Sequence, residues 1–175
     1  LRLPRLARLA AGGAGGKTSL LFQAGREMLE ASDAPLSLLL TTTTHLAGWQ
    51  AALADQQVIV DSVAQLTHWG RHIPSGLLVV SGPETADQRL SGLNEALLAK
   101  LLELADEHEL PLLVEADGAR LKPLKAPAGH EPAIPSFASQ VVVCAGLSSL
   151  GKPLSDEWVH RPERFGELAG LGLGQ

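Results

Sequence analysis

The sequence predicts an α/β fold with a mostly parallel sheet in three layers, and three observations lead there. Short apolar runs alternate with longer helical stretches along the chain, the pattern of strands joined by crossover helices. Most of those runs are continuously apolar, as strands are when helices cover both faces of a sheet. The length of 175 residues suits one domain, and 45% hydrophobic against 19% charged residues is too apolar and too weakly charged for a disordered chain.

Five strands are predicted, at residues 6–10, 36–40, 77–81, 112–116 and 141–145. The first is the weakest, because Arg8 interrupts it. Helices are predicted over residues 17–31 and 92–109. The second carries Leu93, Leu97, Leu101, Leu104 and Ala105 on one stripe, with Ser91 as its N-cap. Between Asp55 and Ile73 the pattern is ambiguous: residues 58–60 read as a short strand and residues 62–71 as a helix or a loop over the sheet. Pro123, Pro127, Pro132 and Pro135 fall within residues 120–136. That spacing excludes a regular helix or a central strand and predicts an ordered loop of functional type. The closing LGLGQ reads as a chain cut before another element, so the expectation is a single domain over residues 1–175 that lacks a C-terminal portion.

Composition narrows the partners. Aromatic residues are 3% with no Tyr, and the formal charge is -5, which leaves neither stacking platforms nor a cationic footprint for nucleic acid. A lone Cys144 excludes an internal disulfide framework and fits a reducing cytoplasm, where it packs as a small core hydrophobe. No apolar run approaches the roughly 20 residues of a membrane helix, so no membrane partner is expected. His68 and His72 read as a surface pair.

The sharpest motif is AGGAGGKTSLL at residues 11–21, between a predicted strand and a predicted helix. Gly13, Gly15 and Gly16 allow backbone N–H groups to turn inward around a phosphate, and the helix beginning at Lys17 adds its positive end. Lys17 then reaches terminal phosphates, Thr18 offers a hydroxyl to Mg²⁺, and Ser19 follows on the same turn. The full pattern G-x-x-x-x-G-K-[ST] is broken at its first position by Ala11.

Phosphate chemistry also needs acids and a positioning group. In PLLVEADG, Glu115 and Asp117 stand at the C-terminal end of an apolar strand, where ligands of open parallel sheets bind. Residues i and i+2 share a strand face, so both are candidate metal ligands with Thr18, and Asp117 is the first choice. TTTTH at residues 41–45 follows another strand, placing Thr43 and Thr44 as oxygen donors and His45 as a group that orients water or contacts phosphate. Extension of the strand through the threonines is the alternative. After Gly118 come Arg120, Lys122, Lys125, His130 and Glu131, a proline-braced basic loop read as the contact for a polyanionic ligand. HRPE at residues 160–163 is a candidate polar clamp.

Taken in order, GAGGKTSLL, TTTTH, VEADGARLKPLKAPAGHEPAIP and VHRPE resemble the YqeC-type proteins, regarded as accessory factors of selenium-dependent molybdenum hydroxylases. The resemblance spans nearly the whole chain. It implies a three-layer P-loop NTPase-like fold and a role in maturing a molybdenum enzyme. Carried onto matching positions, it implies Lys17 and Thr18 at nucleotide, residues 41–45 beside it, and Glu115, Asp117, Arg120, Lys122, Lys125 and Glu131 as site residues. The expected function is therefore an NTP-binding, Mg²⁺-dependent hydrolase acting for a molybdenum hydroxylase or its cofactor, with ATP or GTP as the nucleotide. No [NT]-K-x-D stretch marks guanine. Two alternatives stand beside it: an ATP-dependent ligase or kinase acting on a cofactor or nucleotide precursor, and a non-catalytic module that grips a phosphorylated cofactor.

Overall fold

The computed structural model describes residues 3–129 and 131–175. Strand β1 (Arg8–Gly13) leads through a three-residue turn into helix α1 (Lys17–Glu30). Then follow β2 (Ser37–Thr42), the short β3 (His45–Ala47), one helical turn α2 (Gly48–Ala51), β4 (Gln56–Ile59) and α3 (Val63–Trp69). The chain continues through β5 (Gly76–Ser81), the short β6 (Arg89–Ser91), α4 (Glu95–Glu107) and β7 (Leu112–Glu115). It ends with β8 (Leu124–Lys125), β9 (Gln140–Cys144), β10 (Val159–His160) and α5 (Pro162–Ala169).

Six of these strands form one sheet in the order β4-β5-β2-β7-β1-β9, parallel at every pairing. Alternate residues divide between two cores. Leu9, Ala11, Leu38, Leu40 and Leu113 meet Leu21 and Phe22 of α1 on one face, while Leu39, Leu78, Leu112 and Val114 meet Leu66 of α3 and Leu97, Leu101 and Leu104 of α4 on the other. This is the three-layer α/β arrangement that the continuous apolar runs predicted.

Several boundaries differ from the sequence reading, each for a physical reason. β1 starts later and runs on to Gly13, because Arg8 is no obstacle: its guanidinium hydrogen-bonds the Leu110 carbonyl at 2.6 Å and pairs with Asp106. Ala11 is consequently a strand residue, opposite Glu115 on one side and Val142 on the other, so the missing glycine lies outside the turn. The N-cap of α4 is Asn94, whose Oδ1 accepts from the Leu97 N–H at 2.9 Å, and Ser91 belongs to β6. A sixth strand, β4, and helix α3 emerge from the ambiguous stretch, with Ser62 as cap of α3.

The connection from β7 to β9 crosses β1 without a helix, since its four prolines forbid one. Pro132 and Ile134 lie against Gly12 of β1, where an added Cβ would meet them at 3.4 and 3.8 Å. One consequence is that the edge strand β9 is not covered on both faces: Val141 and Val143 are exposed, unlike the apolar residues of the inner strands. Among the described residues, no helix is long and apolar enough to cross a membrane.

Candidate functional site

Insertion of β7 between β1 and β2 decides which side chains meet. Glu115 is level with Ala11 of β1 and with Thr42 of β2, so the acidic strand end stands between the glycine turn and the threonine segment. The turn itself has Gly13, Gly15 and Gly16 at φ 87, 70 and 90, a region in which L side chains are strained. At Gly13 a side chain would also collide with the Cys144 carbonyl, 2.3 Å from a built Cβ. That carbonyl accepts the Ala14 N–H at 2.8 Å, which ties the turn to β9.

Lys17, the first residue of α1, is buried. Its ammonium donates to the Gly13 carbonyl at 2.9 Å and lies 3.8 Å from Glu115 Oε1 and 3.6 Å from Asp117 Oδ1. Thr18 Oγ1 donates to Glu115 Oε2 at 2.7 Å, and the Gly13 N–H donates to Asp117 Oδ2 at 3.2 Å. Burial pushes the Glu115 carboxyl above its ordinary range, opposed by the Thr18 hydroxyl and the Lys17 charge.

From Asp117 a chain of alternating charges runs outward. Lys125 Nζ lies 2.9 Å from Asp117 Oδ2 and 2.9 Å from Glu131 Oε2, and also donates to the Gly118 carbonyl at 2.8 Å. Arg161 then grips Glu131 with two bonds of 2.8 and 3.1 Å. Parallel pairing of β8 with β10 brings the two partners together, since it sets His160 beside Lys125. The HRPE stretch is thus a clamp in fact, through Arg161. Hydrogen bonding to Arg161 holds the Glu131 carboxyl far below its ordinary range.

A depressed carboxylate pKa stabilises the fold at pH above the unfolded value near 4.5, and that contribution disappears as pH falls toward the folded pKa. The stability gap between wild type and Glu131→Gln, measured by urea denaturation, should therefore hold level from pH 6 to about pH 5 and narrow as the pH falls from there to 3. A gap that stays constant over that range would show that the Glu131 charge contributes nothing.

A cavity of about 570 Å³ opens over the turn. Gly15, Gly16, Lys17, Thr18, Ser19 and Glu115 line it, together with Thr44 and His45. Arg120, Lys122 and Glu131 line it as well. Thr41 and Thr42 continue β2, as the strand-extension alternative had it, and only the following pair leaves the sheet. Thr43 does not face the cavity: its N–H and hydroxyl reach the Glu115 carbonyl at 3.0 and 3.5 Å. Asp117 and Lys125 do not line it and are both buried. Lys122 is directed to the carbonyls of Asp156 and Glu157, and His45 is exposed on β3. His130 lies outside the described residues. Gln50 and Arg89 line the cavity but escaped the sequence reading; no local pattern marks them, because separate short elements deliver them.

The donor set suits a hard cation with phosphates. Asp117 Oδ1 is buried with no hydrogen-bond partner, and a Cβ built on Gly16 meets nothing within 4 Å, so the turn is open on the cavity side. Among the described residues no three His, Cys, Asp or Glu side chains gather as a metal cage. Mg²⁺ ordinarily uses one or two carboxylates and completes its shell with phosphate and water, which Thr18, Glu115 and Asp117 fit.

Comparison with known proteins gives a consistent picture. The family model described as "YqeC protein" matches residues 9–163. A relative in Escherichia coli (strain K12), "Uncharacterized protein YqeC", is 35% identical over 163 residues, covering 91% of this chain and 59% of the relative. The chain thus spans about three fifths of that relative's length. No solved structure gives a significant match.

Proposed function

The chain belongs to the YqeC family, and from that premise we propose that it binds a nucleoside triphosphate with Mg²⁺ at the turn after β1 and hydrolyses it in the maturation of a selenium-dependent molybdenum hydroxylase. One observation carries the nucleotide reading: Lys17 and Thr18 open α1 directly over the glycine turn, within 4 Å of carboxylates from the neighbouring parallel strand end. Backbone N–H groups and the α1 N-terminus would receive phosphate oxygens. Lys17 would balance their charge, and Thr18, Glu115 and Asp117 would hold the cation. Bound Mg²⁺ supplies charge neutralisation at the phosphates. His45, which lines the cavity with Thr44, would orient water. The maturation role rests on the family resemblance.

The test is a thermal-shift screen with ATP, GTP and molybdopterin-type dinucleotides, with and without Mg²⁺. A ligand at 100 times its Kd should stabilise the fold by about 2.7 kcal/mol, and the shift should require Mg²⁺. Absence of a shift with every nucleotide would overturn the reading. A second reading, a ligase or kinase acting on a cofactor or nucleotide precursor, is favoured by the cavity's extension beyond the turn to Arg120, His160 and Arg161; phosphate release that depends on an added acceptor would select it.

A further inference from the structure

The protein carries a formal charge of -5, yet the cavity is lined by five Lys and Arg side chains against Glu115 and Glu131. Three of the five cations already have partners. Lys17 faces Glu115 and Asp117, Arg161 is held by Glu131, and Lys122 caps two carbonyls. Arg89 donates to the His45 carbonyl at 3.3 Å and has no ion pair among the described residues. Arg120 has no hydrogen bond or ion pair among the described residues. Two guanidinium groups with no ion pair among the described residues therefore line one cavity, delivered by unrelated elements: Arg89 from β6, opposite Ala47 of β3, and Arg120 from the loop after β7.

The backbone supports a built position for Arg120. Arg120 and Leu121 take consecutive left-handed conformations, φ 50 and 61, which strain non-glycine residues, and Leu121 is 99% exposed, so no burial of its side chain offsets that strain. His160 lies nearby, its imidazole pushed down first by burial and then by the charges of Arg161, Arg120 and Lys125. Burial and the neighbouring cations thus both disfavour the charged imidazole. A guanidinium fork pairs bidentately with carboxylate or phosphate.

We propose that the cavity holds a second ligand besides the nucleotide, a small phosphorylated or carboxylated molecule whose oxyanion is gripped by Arg89 and Arg120. The division of the cavity rests on the nucleotide reading above, which places triphosphate at Lys17 and Thr18 and leaves Arg89 and Arg120 to another anion. This makes the site a two-substrate chamber.

Calorimetric titration at low salt tests it, with inorganic phosphate and succinate as separate arms, on protein loaded with Mg²⁺ and a non-hydrolysable ATP analogue. At least one anion should bind, and the stronger arm identifies the ligand's charged group. Arg89→Ala and Arg120→Ala should each weaken that binding at least tenfold and weaken analogue binding by a clearly smaller factor. Failure of both anions to bind the loaded protein would overturn the proposal. So would an Arg120→Ala variant that loses the analogue as strongly as the anion, since Arg120 would then be a nucleotide contact. If the analogue itself does not bind, the nucleotide reading falls separately, and the same titrations are run on free protein. Anion binding that survives Lys17→Ala but not Arg120→Ala then upholds the second site; binding lost in Lys17→Ala puts the anion on the glycine turn and refutes it.

Discussion

Lys17→Ala should weaken binding of Mg²⁺-ATP or Mg²⁺-GTP at least 100-fold, about 3 kcal/mol. The ammonium is buried at the foot of the turn, 2.9 Å from the Gly13 carbonyl and within 4 Å of two carboxylates. Without it, Glu115 and Asp117 face an incoming polyphosphate with one cation fewer, and repulsion adds to the lost attraction. Calorimetry on the purified variant measures the loss, with a melting curve to establish that it folds. Should alanine prevent folding, Lys17→Met keeps the stem packed and removes only the charge. Unchanged nucleotide affinity in a folded variant would end the assignment of this turn as a phosphate site.

The second large effect concerns stability. Lys125→Met is expected to destabilise the protein by about 3–5 kcal/mol, the cost of breaking a buried ion pair from one side. Lys125 joins Asp117 and Glu131 at 2.9 Å each, so its removal leaves the buried Asp117 without its closest cation, while Glu131 keeps Arg161. A lysine that merely extended from a surface loop toward a ligand would change stability by no more than about 0.5 kcal/mol when replaced. Urea denaturation therefore separates a positioning role from the ligand contact that the sequence suggests. A double-mutant cycle with Asp117→Asn sharpens the test: the double variant should cost less than the sum of the singles, because neither charge is then left alone. Additive losses would show that the two side chains are not coupled.

The same contrast explains how far the sequence could be read. Apolar runs such as LLL at residues 38–40 and LLV at residues 112–114 report strands because burial on both faces requires every residue to be apolar. Where one face is open, as at Val141 and Val143, the identical pattern misleads about coverage. Ser91 looked like a cap because capping chemistry is local; Asn94, three residues on, has the same chemistry and the geometry that bonds the Leu97 N–H.

By itself the sequence determined what depends on neighbours along the chain: the glycine turn leading into α1, the acids at a strand end, and the prolines that keep the β7 to β9 crossover from being a helix. Which distant groups share space follows from how the strands pair. The sheet order sets β7 between β1 and β2, and so sets Glu115 beside Thr18. The β8 to β10 pairing brings Arg161 to Glu131, and the β3 to β6 pairing carries Arg89 to the cavity. Pairing partners are chosen by summed burial and hydrogen bonding across the sheet, so no stretch of residues records them, and a charge such as Lys125 is indistinguishable from a surface lysine until the fold encloses it.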